Sequence, residues 1–244
     1  MPVRTRAPAA AVALAAAGWA LAVAAEAIGR ASGFHHDALI HSTLPLWLAL
    51  GASLLAWQVM FAAMMVPSAM PVVGRVSRTH ATPRRAAVVF LGAYALVWTA
   101  FGAAAFLGDA VLHRTADRVP WMAGNRWVVA GAVLALAGLF QFTGAKRACL
   151  ARCRAFDPGE RTGFRSGVAY GLACLGDCWA LMLVMFAAGV GSVWWMAALT
   201  ALMVVEKNGH DGERAATFAG IAMLGLAGLV FLHPAWIAGL VTAG

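Results

Sequence analysis

Four sulfur side chains, Cys174, Cys178, Met182 and Met185, follow one another at i, i+4, i+8 and i+11 within an apolar run. At 3.6 residues per turn this spacing puts all four along one face of a helix. Thiols and thioethers together are a soft donor set, suited to Cu(I) and related metals. Ordinary packing is the competing reading, since Cys and Met are often buried and fill irregular gaps. Asp177 adjoins Cys178 in mid-run, where an unpaired carboxylate is costly and usually faces a partner, an ion or water. A protonated carboxyl, hydrogen-bonded inside the bundle, is the plainer alternative.

A second pair, Cys149 and Cys153, repeats the i, i+4 spacing among Lys146, Arg147, Arg152 and Arg154. Cationic neighbours favour the thiolate, the form that binds metal or reacts, although two such cysteines are half of a four-ligand zinc site. Met60 and Met64 share a face of an earlier apolar run that ends in Pro67 and Pro71. The histidines His35, His36, His41, His113 and His233, with Asp37, Asp109 or Asp117, are candidates for a harder imidazole and carboxylate site. Glu206 and Lys207 end another apolar run, either as an interfacial charge pair or with Glu206 reaching a base of segment 146–165.

The elements that position these groups must be membrane helices. With 62% hydrophobic and 11% charged residues, a chain of 244 residues cannot hide its apolar surface in a soluble fold. The expected fold is a single all-α polytopic transmembrane bundle over residues 1–244. About seven spans are read, near 7–28, 46–73, 86–107, 127–143, 166–188, 193–205 and 215–232, the sixth short enough to be tilted or re-entrant. The first is read as a retained span, because its apolar run exceeds the length of a signal-peptide core. Pro67 and Pro71 predict a kink in the second, and the fourth helix is free to continue through the basic segment 146–154. Gly167 and Gly171 form a GxxxG step that permits close helix approach.

The net charge of +8 lies in short loops, so it reads as a topology signal and not as a nucleic-acid surface. Placing the N-terminus in the cytoplasm leaves only Arg30, Arg114, Arg118 and Arg126 outside, with the other 14 basic residues inside. In that orientation Cys174 and Met64 come out at one depth and Cys178 and Met60 one turn deeper. Two thiols and two thioethers could converge there if spans two and five are neighbours.

Several linked motifs resemble one family. They are Ala63-Met-Met-Val-Pro-Ser-Ala-Met-Pro71, Phe140-Gln-Phe-Thr143 with Lys146-Arg-Ala-Cys149-Leu-Ala-Arg-Cys153, Gly171-Leu-Ala-Cys174-Leu-Gly-Asp-Cys178-Trp-Ala-Leu-Met182, Trp195-Met196 and Glu206-Lys207. Over about residues 47–210 the chain is similar to the bacterial predicted metal-binding integral membrane proteins, a domain of unknown function. The resemblance implies a multi-pass protein of the bacterial inner membrane, with Met64, Met65, Pro67, Cys149, Cys153, Cys174, Cys178 and Glu206 at the family's positions. The chain departs from the family's Cys-Cys-Trp with Asp177-Cys178-Trp179, which opens a mixed sulfur and carboxylate site. It also lacks the proline often found after the Thr.

The expected role is binding, buffering or delivery of a metal ion, copper favoured, without turnover. The expected metal residues are Cys174, Cys178, Met60, Met64, Met182, Asp177, Cys149 and Cys153. The lipid bilayer and a soluble metal-carrying protein are the expected partners. A membrane thiol oxidoreductase and a non-catalytic assembly subunit are the alternatives. The orientation carries a test: a membrane-impermeant thiol reagent should label Cys149 in inverted vesicles and not in intact cells, and equal labelling of both would refute it.

Overall fold

The computed structural model describes residues 8–29, 36–40, 42–116, 118–119, 121, 125, 127–159, 161–188 and 192–233. Among them every regular element is helical: α1 (Ala9–Ala27), α2 (His36–Ile40), α3 (Leu46–Met60), a π-helical turn (Phe61–Met65), α4 (Val66–Thr79), α5 (Pro83–Ala116), α6 (Trp127–Phe140), α7 (Gly144–Arg154), α8 (Gly163–Ala188), α9 (Val193–Asn208) and α10 (Gly212–Leu232). Among the described residues five helices are long and apolar enough to cross a membrane, counting α3, the π turn and α4 as one, or six if α6 and α7 count as one bent span. At 16 residues, α9 is shorter than any of these, as the sequence predicts for the sixth run.

The second span answers its prolines with a wider turn and not with a break. Pro67 supplies no N–H and its ring crowds the carbonyl one turn back, a conflict that a π turn relieves by pairing one residue further on. The turn Phe61–Met65 immediately precedes Pro67, and the helix then runs through Pro71 to Thr79. All five residues of the turn are buried, Met64 and Met65 completely.

Between α6 and α7 the chain bends by 65° instead of continuing as one helix. Thr143 makes the corner. Its hydroxyl donates to Phe140 O at 2.8 Å, and the same oxygen accepts from Lys146 N at 3.1 Å. One side chain thus closes the end of α6 and caps the start of α7, satisfying groups that helix ends leave orphaned. The bend lays α7 along α8 and turns Lys146 inward.

α8 is the centre of the bundle, packed by α5, α6 and α7. Its contact with α5 depends on small residues. A Cβ on Gly163 would sit 2.8 Å from Ala86 O, and one on Gly167 would collide with Phe90 O. The expected close approach at the Gly167 and Gly171 step is therefore made against α5, with Tyr94 and Val97 facing Gly171. Outside this core the surface stays apolar, with Trp47, Trp194, Phe218 and Leu232 all exposed.

Replacing Gly167 with Leu should force α5 and α8 apart and cost about 1–3 kcal/mol, as overpacking of a close-packed interior does. Thermal unfolding of the purified protein in detergent measures this. A transition at the parental temperature would show that the seam is not tightly packed.

Candidate functional site

Five elements bring polar side chains to one buried place. α7 supplies Lys146, α8 supplies Cys174, Asp177 and Cys178, α9 supplies Glu206 and Lys207, α5 supplies Tyr94 and α4 supplies Ser68. Lys146 Nζ lies 2.6 Å from Glu206 Oε2 and 2.9 Å from Asp177 Oδ1, and donates to Asp177 O at 3.2 Å. All three side chains are excluded from solvent. Oδ1 is held by charge and not by a well-angled hydrogen bond, and Glu206 Oε1 has no hydrogen-bond partner.

The thiols are tied to the same cluster. Lys207 Nζ donates to Cys174 Sγ at 2.9 Å and to Ser68 Oγ at 3.4 Å, with Asp177 Oδ2 3.9 Å away. Tyr94 OH and Cys174 Sγ are 2.9 Å apart. Cys178 Sγ donates to Asp177 Oδ2 at 3.1 Å, and the two thiols lie within interaction range of each other. Asp177 therefore touches both lysines and one thiol. Two ammonium groups and two carboxylates balance in formal charge, the condition under which buried ions are tolerated. At the cluster's edge Arg154 donates to Glu206 O and Gly209 O, both at 2.8 Å, and Asn208 Nδ2 donates to Ser68 O at 3.2 Å. These bonds tie the C-terminal end of α9 to α7 and to α4.

The sulfur stripe stays within one core: Cys174, Cys178, Met182 and Met185 are all buried there, as are Met60 and Met64. Spans two and five, however, are not packed against each other as main partners. α5 lies along α8, whereas α4 and the π turn lie against α1 and α5, with α9 alongside. A hydrogen-bonded link between the two spans runs from Ser68 through Lys207 to Cys174. Cys153 is buried near Cys174, and half-buried Cys149 lies against Gly176.

Glu206 finds its base within segment 146–165, as one of the two sequence readings has it, and that base is Lys146. Lys207, read as an interfacial charge, instead turns inward with a side chain 2% exposed. Tyr94 and Ser68 carry no sequence signal for this role, since one aromatic and one hydroxyl in long apolar runs are unremarkable. Among the described residues no three His, Cys, Asp or Glu side chains converge as a metal cage. Of the outer histidine candidates, His113 pairs with Asp109 at 3.3 Å. His35, His41 and Asp117, with the side chains of His36 and Asp37, lie outside the described residues.

The donor set divides by softness. Both carboxylates are engaged by lysines, which leaves two adjacent thiols, with thioethers on the same face, as the donors open to a metal. Two thiolates suit a soft monovalent d¹⁰ ion better than a hard divalent one. Fold and site together define a helical bundle with apolar candidate spans around a buried cluster of thiols and ion pairs. Residues 54–230, more than half the chain, match the PpoB2 family, described as copper chaperone. The chain belongs to that family. No curated protein and no solved structure matches it. The metal relationship expected from the motifs is met at the level of copper.

Lys146→Met removes the cation shared by Asp177 and Glu206 and should cost about 3–5 kcal/mol, the range for breaking a buried ion pair. Adding Glu206→Gln should return part of that loss. Unfolding in detergent is the measurement, and a single variant as stable as the parent would mean that the pair carries no net weight.

Proposed function

We propose that this protein is a multi-pass copper chaperone of a bacterial inner membrane, binding Cu(I) through Cys174 and Cys178 and passing it on without turnover. What carries the reading is a buried pair of thiols, outside any disulfide and held only by hydrogen bonds, while each nearby carboxylate is paired with a lysine. Family membership supports copper as the cargo. The apolar candidate spans and exposed apolar surface support the bilayer as the protein's environment.

In this reading the ion replaces the thiol protons. Cys174 gives up its contact with Lys207 or Tyr94 to take a metal bond, and Cys178 gives up its hydrogen bond to Asp177. Lys207 and Lys146 hold the carboxylates in place and keep the surrounding field balanced. Met182, one turn beyond Cys178, is the thioether placed to add a weaker bond, and Met60 and Met64 lie in the same core. Asp177 acts by orienting Cys178, and Cys149 and Cys153 contribute thiols outside the inner pair. The excess of basic residues in segments 74–85 and 146–165 supports a cytoplasmic N-terminus. A soluble copper-carrying protein is the natural donor or acceptor.

Cys174→Ser and Cys178→Ser should each abolish tight Cu(I) binding, because serine offers a hard oxygen that does not ionise near neutral pH. Met182→Leu should weaken binding less, since it keeps the packing and removes only a neutral donor. Copper per folded protein, measured by element-resolved mass spectrometry under reducing conditions, decides. Equal stoichiometry in the parent and both serine variants would refute the inner site.

A further inference from the structure

Resting on the copper reading above, we infer that Cys149 and Cys153 form a loading step through which Cu(I) reaches Cys174 and Cys178. The four thiols are graded in burial: Cys149 is half-buried, Cys153 is 3% exposed, and Cys174 and Cys178 are fully enclosed. Packing of α7 on α8 brings the two pairs onto adjacent helices. Cys149 Sγ would lie 2.6 Å from a Cβ built on Gly176, so only a glycine there lets the thiol seat against the helix. Cys153, one turn along α7 from Cys149, is buried in the same core as Cys174 and Cys178.

The order follows from helix geometry. Gly176 is two residues, or about 200°, round the helix from both Cys174 and Cys178. Cys149 therefore meets α8 on the flank away from the stripe, out of place as a ligand of the inner pair. Cys153, one turn along α7 from Cys149, is the thiol between them. The absence of a common cage of three Cys, His, Asp or Glu among the described residues fits successive thiols and not one four-thiol cluster. Exposed Arg147 and Arg152 flank the outer end. A Cu(I) ion held by two thiolates carries a net negative charge, so this cationic rim suits a carrier that presents copper in that form.

Each step is a ligand exchange. The bond from Cu(I) to the Cys153 sulfur breaks as one to Cys174 forms. Copper stays monovalent, and the proton that leaves the Cys174 thiol is matched by one taken up on the freed Cys153 thiolate. No oxidant or reductant is required.

The test delivers Cu(I) from its coloured, water-soluble bicinchoninate complex to the purified full-length protein in detergent, anaerobically, with loss of the complex's colour followed by stopped flow. Cys149→Ser and Cys153→Ser should load at least about tenfold more slowly, a rise of one decade in barrier terms, while final copper per protein and affinity stay parental. Parental loading rates in both outer variants would overturn the relay while leaving the inner site standing. So would loss of final copper in the outer variants equal to that in Cys174→Ser and Cys178→Ser, since that describes a single four-thiol site. Full copper in the inner variants would instead overturn the copper reading and the relay with it. Alanine counterparts replace any serine variant that does not elute as the parent does.

Discussion

The ion pairs of Lys146 with Asp177 and Glu206 hold the whole arrangement in place. Each ion loses several kcal/mol of hydration on burial, and that loss is offset only when geometry and charge are nearly complete. Lys146 meets the requirement by touching two carboxylates and a backbone carbonyl at once. Because its partners come from α8 and α9, satisfying one ammonium fixes three helices relative to one another. Lys207 completes the balance from the other side and carries it to Cys174 and Ser68. The thiols are thus placed by a charge network in which they are the weakest members.

Local features elsewhere serve this network. Thr143 turns the chain so that Lys146, which would continue outward along a straight α6, points into the bundle. The glycines of α8 let α5 approach closely enough for Tyr94 to reach Cys174. The π turn before Pro67 buries Met64 and Met65 and carries the helix on to Ser68 beneath Lys207. Aromatic contacts of Tyr94 with Phe61, Phe90 and Tyr170 wall the thiol side, with ring centroids 5.0–6.1 Å apart.

Much of this is legible in the sequence because a lipid-like environment forces backbone groups to pair within the helix, so each span declares itself as an apolar run. The sulfur stripe is legible for the same reason: once the run is helical, the period fixes the face. Glu206 and the segment 146–165 announce each other, since a carboxylate at the end of a span needs a base. Two further features escape. The 65° bend depends on a threonine hydroxyl serving two helix ends, and threonine is common where no bend occurs. The inward turn of Lys207 depends on which helices surround α9, because the same residue next to solvent would extend outward. Neighbourhood is also what the depth argument lacks: Met60 and Met64 match the thiols in height, yet α1, α5 and α9 are the helices beside their span.

The division between hard and soft donors gives the cluster a logic under the copper reading. A hard divalent ion gains most from carboxylate oxygens, and here each carboxylate already holds an ammonium, so such an ion must displace a buried cation before it can bind. A soft monovalent ion needs only the thiols, whose hydrogen bonds to Lys207, Tyr94 and Asp177 are weak beside a metal thiolate bond. Asp177, next to Cys178, sharpens the distinction. The carboxylate gives Lys146 and Lys207 a shared anion, so the cluster is charge-balanced by its own side chains before any ion binds. A chaperone must release what it binds, and a scaffold that is electrostatically complete without its cargo is suited to doing so.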